Sequence, residues 1–296
     1  YYKTKEMIKE SVSDHLISDV SVGLFLSGGY DSSTLLINAS ELNYKPNTFS
    51  LGFKNIERSE HKVAEIIAKK YKTNHTEYIL DASNDFIKDL KELAYFYDEP
   101  FAVSSMLPYY YVSKLASKSN KVALAGDGGD EVFAGYKWHK SIKNFFENKS
   151  LLGKAKTFCK GRSNEFIEIY NKRMPSPYRK GNNISFINKD LQKKINEREF
   201  WFFKKHYIKN SDILKTTQYM DFKTFIPEVN LTRADRSSMA NSLEVRVPFL
   251  DHEIYEYIFG LDSSVYYKQN TKKYLLDRNL KNKLPKDVYE IQRSPR

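Results

Sequence analysis

The chain has 296 residues, enough for one large α/β domain or two small ones, and its 41% apolar and 29% charged content is that of a folded protein rather than a disordered one. A single cysteine, Cys159, excludes an internal disulfide framework and a cysteine-based zinc site. The net charge of +11 permits contact with a polyanion, but the basic residues are scattered without a block of five, so the default is a solvated lysine-rich surface and a nucleic-acid partner is not expected.

In chain order, "MIKESVSDHLI" (7–17) has helical spacing, and "SVGLFL" (21–26) is a short apolar run ending at a glycine loop. "DSSTLLINASEL" (31–42) predicts a helix, "NTFSLGF" (47–53) a strand, "EHKVAEIIAKKY" (60–71) a helix and "HTEYIL" (75–80) a strand. "NDFIKDLKELAYFY" (84–97) and residues 105–119 predict two more helices, and "KVALAG" (121–126) a fourth strand. Strands separated by helices predict an α/β fold, a parallel twisted sheet with helices on both faces. From about residue 137 basic and aromatic residues dominate, as in "FWFFKKHYIK", and strand signals vanish. An α/β core over 1–140 is therefore expected, with a mainly helical part over 141–296 completing the same domain. No stretch approaches the length of a membrane-spanning helix, and "YYKTKEMIKE" lacks an apolar signal core, so the protein is expected to be cytoplasmic, with no membrane partner.

In a parallel sheet of this kind ligands sit at the carboxyl ends of the strands. Three glycine-bearing loops follow strands there: Ser27 to Ser33, Gly52 onward, and Gly126 to Glu131. The first, "SGGYDSS", reads either as a tight strand-to-helix turn or as a cradle for phosphate. Gly28 and Gly29 let backbone N–H groups approach an anion, the next helix points its N-terminus there, and Ser32 and Ser33 add hydroxyls. Asp31 looks misplaced beside a triphosphate, which it repels by roughly 4 kcal/mol per charge pair at ~4 Å in a medium of intermediate dielectric. A divalent cation between them reverses that sign, so Asp31 points to Mg²⁺. The second loop, "AGDGGDEVFAGY", packs Asp127, Asp130 and Glu131 among three glycines, more acid than a structural turn needs. The nucleotide loops G-x-x-x-x-G-K-[ST] and, after a strand, G-x-G-x-x-G do not occur.

"SGGYDSS" is similar to the pyrophosphate loop, SGGxDSS, of the ATP pyrophosphatase superfamily, whose adenine nucleotide alpha hydrolase-like sheet it implies. With "SDVSVGLFLSGGYDSS", "YDEPFAVSSMLPYYYVSKLA", "VALAGDGGDEVFAGY" and "RADRSSMANSLEVRVPFLDHE", the chain resembles the synthetase domain of glutamine-hydrolysing asparagine synthetases. The resemblance spans most of residues 1–285, least clearly 140–215. It implies ATP and Mg²⁺, an acyl-adenylate of a substrate carboxylate (aspartate's side chain) with release of pyrophosphate, and amidation by ammonia.

By motif position it implies that Ser27, Gly28, Gly29, Ser32 and Ser33 cradle pyrophosphate and that Asp31 and Asp130 bind the metal. Leu26, Leu51 and Gly126 would line the adenosine site, and Asp127 would act near the adenylate. "NTKKYLL" resembles the segment that supplies a transition-state lysine; Lys273 fits best and Lys272 is the alternative. Arg233, Arg236 and Arg246 could contact phosphate or fix helix packing, with packing expected for Arg246. His15, His61, His75, His139, His206 and His252 share no ligand spacing and are expected to be satisfied or solvent-facing. Val103 stands where many members have Asp, which leaves amidation or cyclisation of another carboxylate open, with a tRNA-modifying enzyme of the superfamily and a silent ATP-binding module as the lesser alternatives. The family's glutaminase half, with its cysteine nucleophile, is not expected in this chain, so ammonia would come free or from a glutaminase domain or subunit.

Overall fold

The computed structural model describes residues 1–54, 60–81, 86–148, 150, 162–173, 188–191, 201–209 and 211–293; Cys159 lies outside the described residues. By its contacts the chain divides into two units, residues 1–133 with 228–296, and residues 134–227.

The first unit is built on five parallel strands: β1 (Val22–Phe25), β2 (Thr48–Phe53), β3 (His75–Leu80), β4 (Val122–Leu124) and β5 (Glu244–Arg246). Their order across the sheet is β3-β2-β1-β4-β5. Leu24 lies opposite Thr48 on one side and Leu124 on the other. All four residues of β1 are buried, and successive side chains on a strand point to opposite faces, so both faces are covered. On one face Phe25, Phe49, Ala123 and Ala125 pack against Val112, Leu115 and Ala116. The connecting helices α1 (Tyr2–His15), α2 (Tyr30–Glu41), α3 (Glu60–Tyr71), α4 (Phe86–Tyr97) and α5 (Met106–Ala116) lie within two residues of the predicted bounds at most ends. The exceptions are the start of α1 and the end of α5. The winding reverses between β1 and β4, so the crevice beyond their carboxyl ends is the place for a ligand.

The sequence reading expected no strand after residue 137 and grouped 141–296 together. Residues 228–296 instead fold with the sheet, and β5 hydrogen-bonds alongside β4. A strand of three residues is too short to show an alternating pattern, which is why it was not legible. On β5, Arg246 donates from Nη1 to the carbonyls of His15 (2.9 Å) and Ile17 (2.7 Å) and from Nε to Glu244 (2.6 Å). It therefore satisfies orphan carbonyls at the end of α1, the packing role expected of it.

The short helix α6 (Gly129–Val132) follows β4 just before the second unit begins at residue 134. The unit holds α7 (Lys137–Glu147), α8 (Arg162–Arg173), α9 (Trp201–Lys204) and α10 (Ile213–Lys223). Trp138, Ile142 and Phe146 recur at helical spacing on α7 and meet Phe166, Tyr170, Ile213 and Met220 in one apolar cluster. Asp212 caps α10, accepting from the N–H groups of Leu214 (2.7 Å) and Lys215 (3.1 Å). Fully buried within this unit, Asp221 accepts from Trp138 Nε1 (2.9 Å), His139 Nε2 (2.6 Å) and the Tyr170 hydroxyl.

The remaining helices of the first unit are α11 (Thr232–Met239), α12 (His252–Gly260), α13 (Ser263–Tyr266), α14 (Tyr274–Leu280) and α15 (Lys286–Arg293). Among the described residues no helix is long and apolar enough to cross a membrane.

Candidate active site

The glycine loop leaves β1 at Leu26 and enters α2 at Gly29. Gly28 has φ +74°, and a Cβ there would lie 2.9 Å from both the Ala64 nitrogen and Val63, so only glycine fits. No side chain caps the first turn of α2, the condition under which a helix N-terminus can receive an anion. The hydroxyls of Ser27 and Ser32 are 3.1 Å apart; Ser32 also accepts from the Ser27 N–H (3.1 Å), and Ser27 accepts from the Gly29 N–H (3.2 Å). Ser27 is exposed and Ser32 buried. Ser33 lies differently from the expectation of a cradle residue: it is fully buried and accepts from Gln292 Nε2 at 3.1 Å.

The second loop approaches the first from the end of β4. A Cβ on Gly126 would come within 2.8 Å of the Asp31 Cβ, so the missing side chain is what lets the two loops touch. Gly128, at φ +91°, then turns the chain into α6, which carries Asp130 and the buried Glu131. Glu131 accepts from Asn230 Nδ2 at 2.6 Å and so serves the scaffold.

Lys273 joins the loops. Its Nζ lies 2.5 Å from Asp31 Oδ2 and 2.8 Å from Asp130 Oδ1, with the residue only 3% exposed. Lys273 sits just before α14 in the left-handed region (φ 46°, ψ 58°), a conformation that a non-glycine residue holds only where its surroundings require it. Lys272, its neighbour, is exposed. Burial pushes the Asp31 carboxyl up to about 6, with the Lys273 ammonium opposing and the Asp130 charge adding to the rise. For Lys273 burial favours the neutral amine, but Asp130 and Asp31 outweigh it and hold the pKa above the ordinary lysine value.

Asp31 Oδ1 is buried without a hydrogen-bond partner. That unpartnered oxygen, beside the Asp130 carboxylate, suits Mg²⁺, which takes one or two protein carboxylates and completes its shell with phosphate oxygens and water. Among the described residues no group of three or more metal-ligating side chains gathers, so an all-protein metal cage is not what these residues build.

Asp127 has both oxygens engaged: Oδ1 with Arg233 Nη2 at 2.5 Å and Oδ2 with the Tyr109 hydroxyl at 3.0 Å. Arg233 also donates to Ser105 Oγ (3.0 Å) and lies over the Tyr109 ring at 5.0 Å. Burial, and next the Asp127 charge, push the Tyr109 phenol well above its ordinary value, so it donates as a neutral hydroxyl. Leu26 is buried just beyond β1, Leu51 is half-buried on β2, and Gly126 follows β4, so these three share the carboxyl edge of the sheet. Sequence reasoning missed Tyr109, Ser105 and Gln292. Tyr109 and Ser105 lie within the quoted motif YDEPFAVSSMLPYYYVSKLA, and Gln292 stands four residues after buried Val288 on the inner face of α15. Of the histidines, His75 is satisfied by Thr48 (2.9 Å) and Ser50 (3.1 Å), as expected.

The family model for asparagine synthase matches residues 3–295. The chain belongs to the asparagine synthase family. It is 32% identical over 310 residues to asparagine synthetase [glutamine-hydrolyzing] 1 of Bacillus subtilis, covering 97% of this chain and 48% of that protein. A putative glutamine-hydrolyzing asparagine synthetase of Mycobacterium tuberculosis is also 32% identical, over 97% of this chain and 46% of the relative. The chicken enzyme of that name is 24% identical over 95% of this chain and 40% of its own. The asparagine synthase match takes in the glycine loop, the acidic loop and Lys273 alike, and the chain spans about half the length of the curated relatives it matches.

Proposed function

We propose that this chain is an ATP-dependent ligase that activates a carboxylate, the side chain of aspartate, as an acyl-adenylate and then forms asparagine with ammonia. The observation that carries the reading is the Asp31–Lys273–Asp130 cluster set against a glycine loop and an uncapped helix N-terminus. Such a site gathers cations and N–H donors where a leaving pyrophosphate accumulates charge.

In this reading the carboxylate oxygen attacks the α-phosphorus of ATP, the bond to the β-phosphate oxygen breaks, and pyrophosphate leaves. The Gly28 N–H and the N–H groups of the first turn of α2, with the Ser27 and Ser32 hydroxyls, bind the leaving group. Lys273 supplies a fixed positive charge to the same phosphates. Asp31 and Asp130 would hold Mg²⁺, which when bound offsets polyphosphate charge. Leu26, Leu51 and Gly126 form the floor beneath the adenosine. Asp127, fixed by Arg233 and Tyr109, stands beside the adenylate and presents a carboxylate of set orientation. Ammonia attacks the acyl carbon and AMP leaves with the anhydride oxygen. The family relatives named above are glutamine-hydrolyzing, so a glutaminase domain or subunit is the proposed ammonia source, with free ammonium as its substitute in vitro.

The test is pyrophosphate release from MgATP with and without aspartate and ammonium. Aspartate-dependent release together with asparagine in the product is expected. Release that ignores aspartate but follows another carboxylate would keep the ligase and replace the substrate.

A further inference from the structure

We propose that Gln292, on the last helix, is a positioning residue that holds the phosphate loop in its anion-binding form. Its amide Nε2 donates to the Gly28 carbonyl (2.6 Å) and to the Ser33 hydroxyl (3.1 Å), and the residue is 4% exposed. A carbonyl oxygen can only accept, so the NH₂ end of the amide is the end that faces Gly28, and its two hydrogens serve the two acceptors.

The consequence follows from the peptide plane. In a trans peptide the carbonyl of Gly28 and the N–H of Gly29 point in opposite directions. Drawing the Gly28 carbonyl toward α15 therefore turns the Gly29 N–H away from α15, and that N–H meets Ser27 Oγ, on an exposed residue of the loop. Gly28 is at φ +74°, where glycine moves freely between conformations, so the peptide has no side chain of its own to fix it. Gln292 provides the fixing from outside, and through Ser33 it grips the first turn of α2 as well.

The choice of glutamine is not explained by packing. Its Oε1 is buried without a hydrogen-bond partner, a cost that an apolar side chain of the same length would avoid. The amide is kept where its donors are useful to the loop and its acceptor is useless. The neighbouring buried residue on α15, Val288, shows that the same face accepts an ordinary apolar side chain.

This inference rests on the reading of the loop as a pyrophosphate site, and the test separates the two. Binding of MgATP, of Mg-pyrophosphate and of AMP is measured by titration calorimetry for the unaltered protein, Gln292→Met and Gln292→Glu. Gln292→Met is expected to bind pyrophosphate and ATP about tenfold more weakly and AMP within about twofold of normal. Gln292→Glu is expected to lose more, because an acceptor-only carboxylate would face the Gly28 carbonyl. Unchanged pyrophosphate affinity in Gln292→Met, or an equal loss of AMP binding, overturns the positioning role. An unaltered protein that binds none of the three overturns the ATP reading itself. Should the variants fail to fold, the side-chain amide resonances of Gln292 in the unaltered protein decide: they shift when pyrophosphate is added, and resonances that stay still contradict the proposal.

Discussion

Two acids, one in each unit, show what separates a structural carboxylate from one at a working site. Asp221 lies fully buried in the helical unit with three donors, Trp138, His139 and Tyr170, on its two oxygens. Asp31 lies at the carboxyl edge of the sheet with one oxygen on Lys273 and the other buried without a partner. It also stands near a second carboxylate, Asp130, that shares the same ammonium. In the first arrangement both carboxylate oxygens are engaged by buried donors. The second is incomplete by the same accounting, and the missing partners are of the kind a metal and a phosphate supply.

That contrast breaks most sharply at Lys273 and Asp31. Lys273→Met should reduce aspartate-dependent pyrophosphate release by roughly 100- to 1,000-fold in steady-state assays, the loss seen when one preorganised charge stabiliser is removed. Asp31→Asn should lower metal-dependent turnover to a similar degree while leaving the melting temperature unchanged or higher at pH 7. The sign follows from linkage: the folded protein holds the Asp31 proton more tightly than the unfolded chain does, up to about 6, so ionisation at neutral pH weakens the fold. Asp221→Ala should do the reverse, costing about 3 kcal/mol in denaturant unfolding because three buried donors lose their acceptor.

Smaller effects sharpen the picture. Burial between Thr48 and Ser50 holds the His75 imidazole below the ordinary histidine range of about 6.5. The unfolded chain therefore binds the proton first, so stability should fall as pH drops below about 6.5, and His75→Gln should lose that part of the slope in melting curves. Lys272→Ala, on an exposed neighbour of the site lysine, should change turnover by no more than about twofold.

The sheet was legible because its signals are local. The helix at 60–71 and the strand at 75–80 have the bounds read from the sequence, the helix as an amphipathic segment and the strand as a short run set off from it by Lys72–Asn74. β5 was not, because three residues carry no period and their place beside β4 is set by a pairing across 122 positions of chain. At the site, the two glycine loops announced themselves through composition, and the structure brings Asp31, Asp130 and Lys273 together. The choice between Lys272 and Lys273 could not be read from residue type; it depends on a left-handed backbone turn that buries one and exposes the other. Arg233 on Asp127 and Gln292 on Gly28 are contacts between distant segments, and no spacing rule finds them. Ser33 is a motif position whose hydroxyl accepts from that same distant residue, Gln292.

The central claim is that this site joins a carboxylate to AMP before the amide forms. The most direct measurement is the fate of oxygen-18 placed in the side-chain carboxylate of aspartate, followed by mass spectrometry of the nucleotide products in the presence of ATP, Mg²⁺ and ammonium. The account predicts one labelled oxygen in the phosphate of AMP for each asparagine formed. Label found in inorganic phosphate with ADP as the nucleotide product would contradict it, by placing the attack at the γ-phosphorus instead.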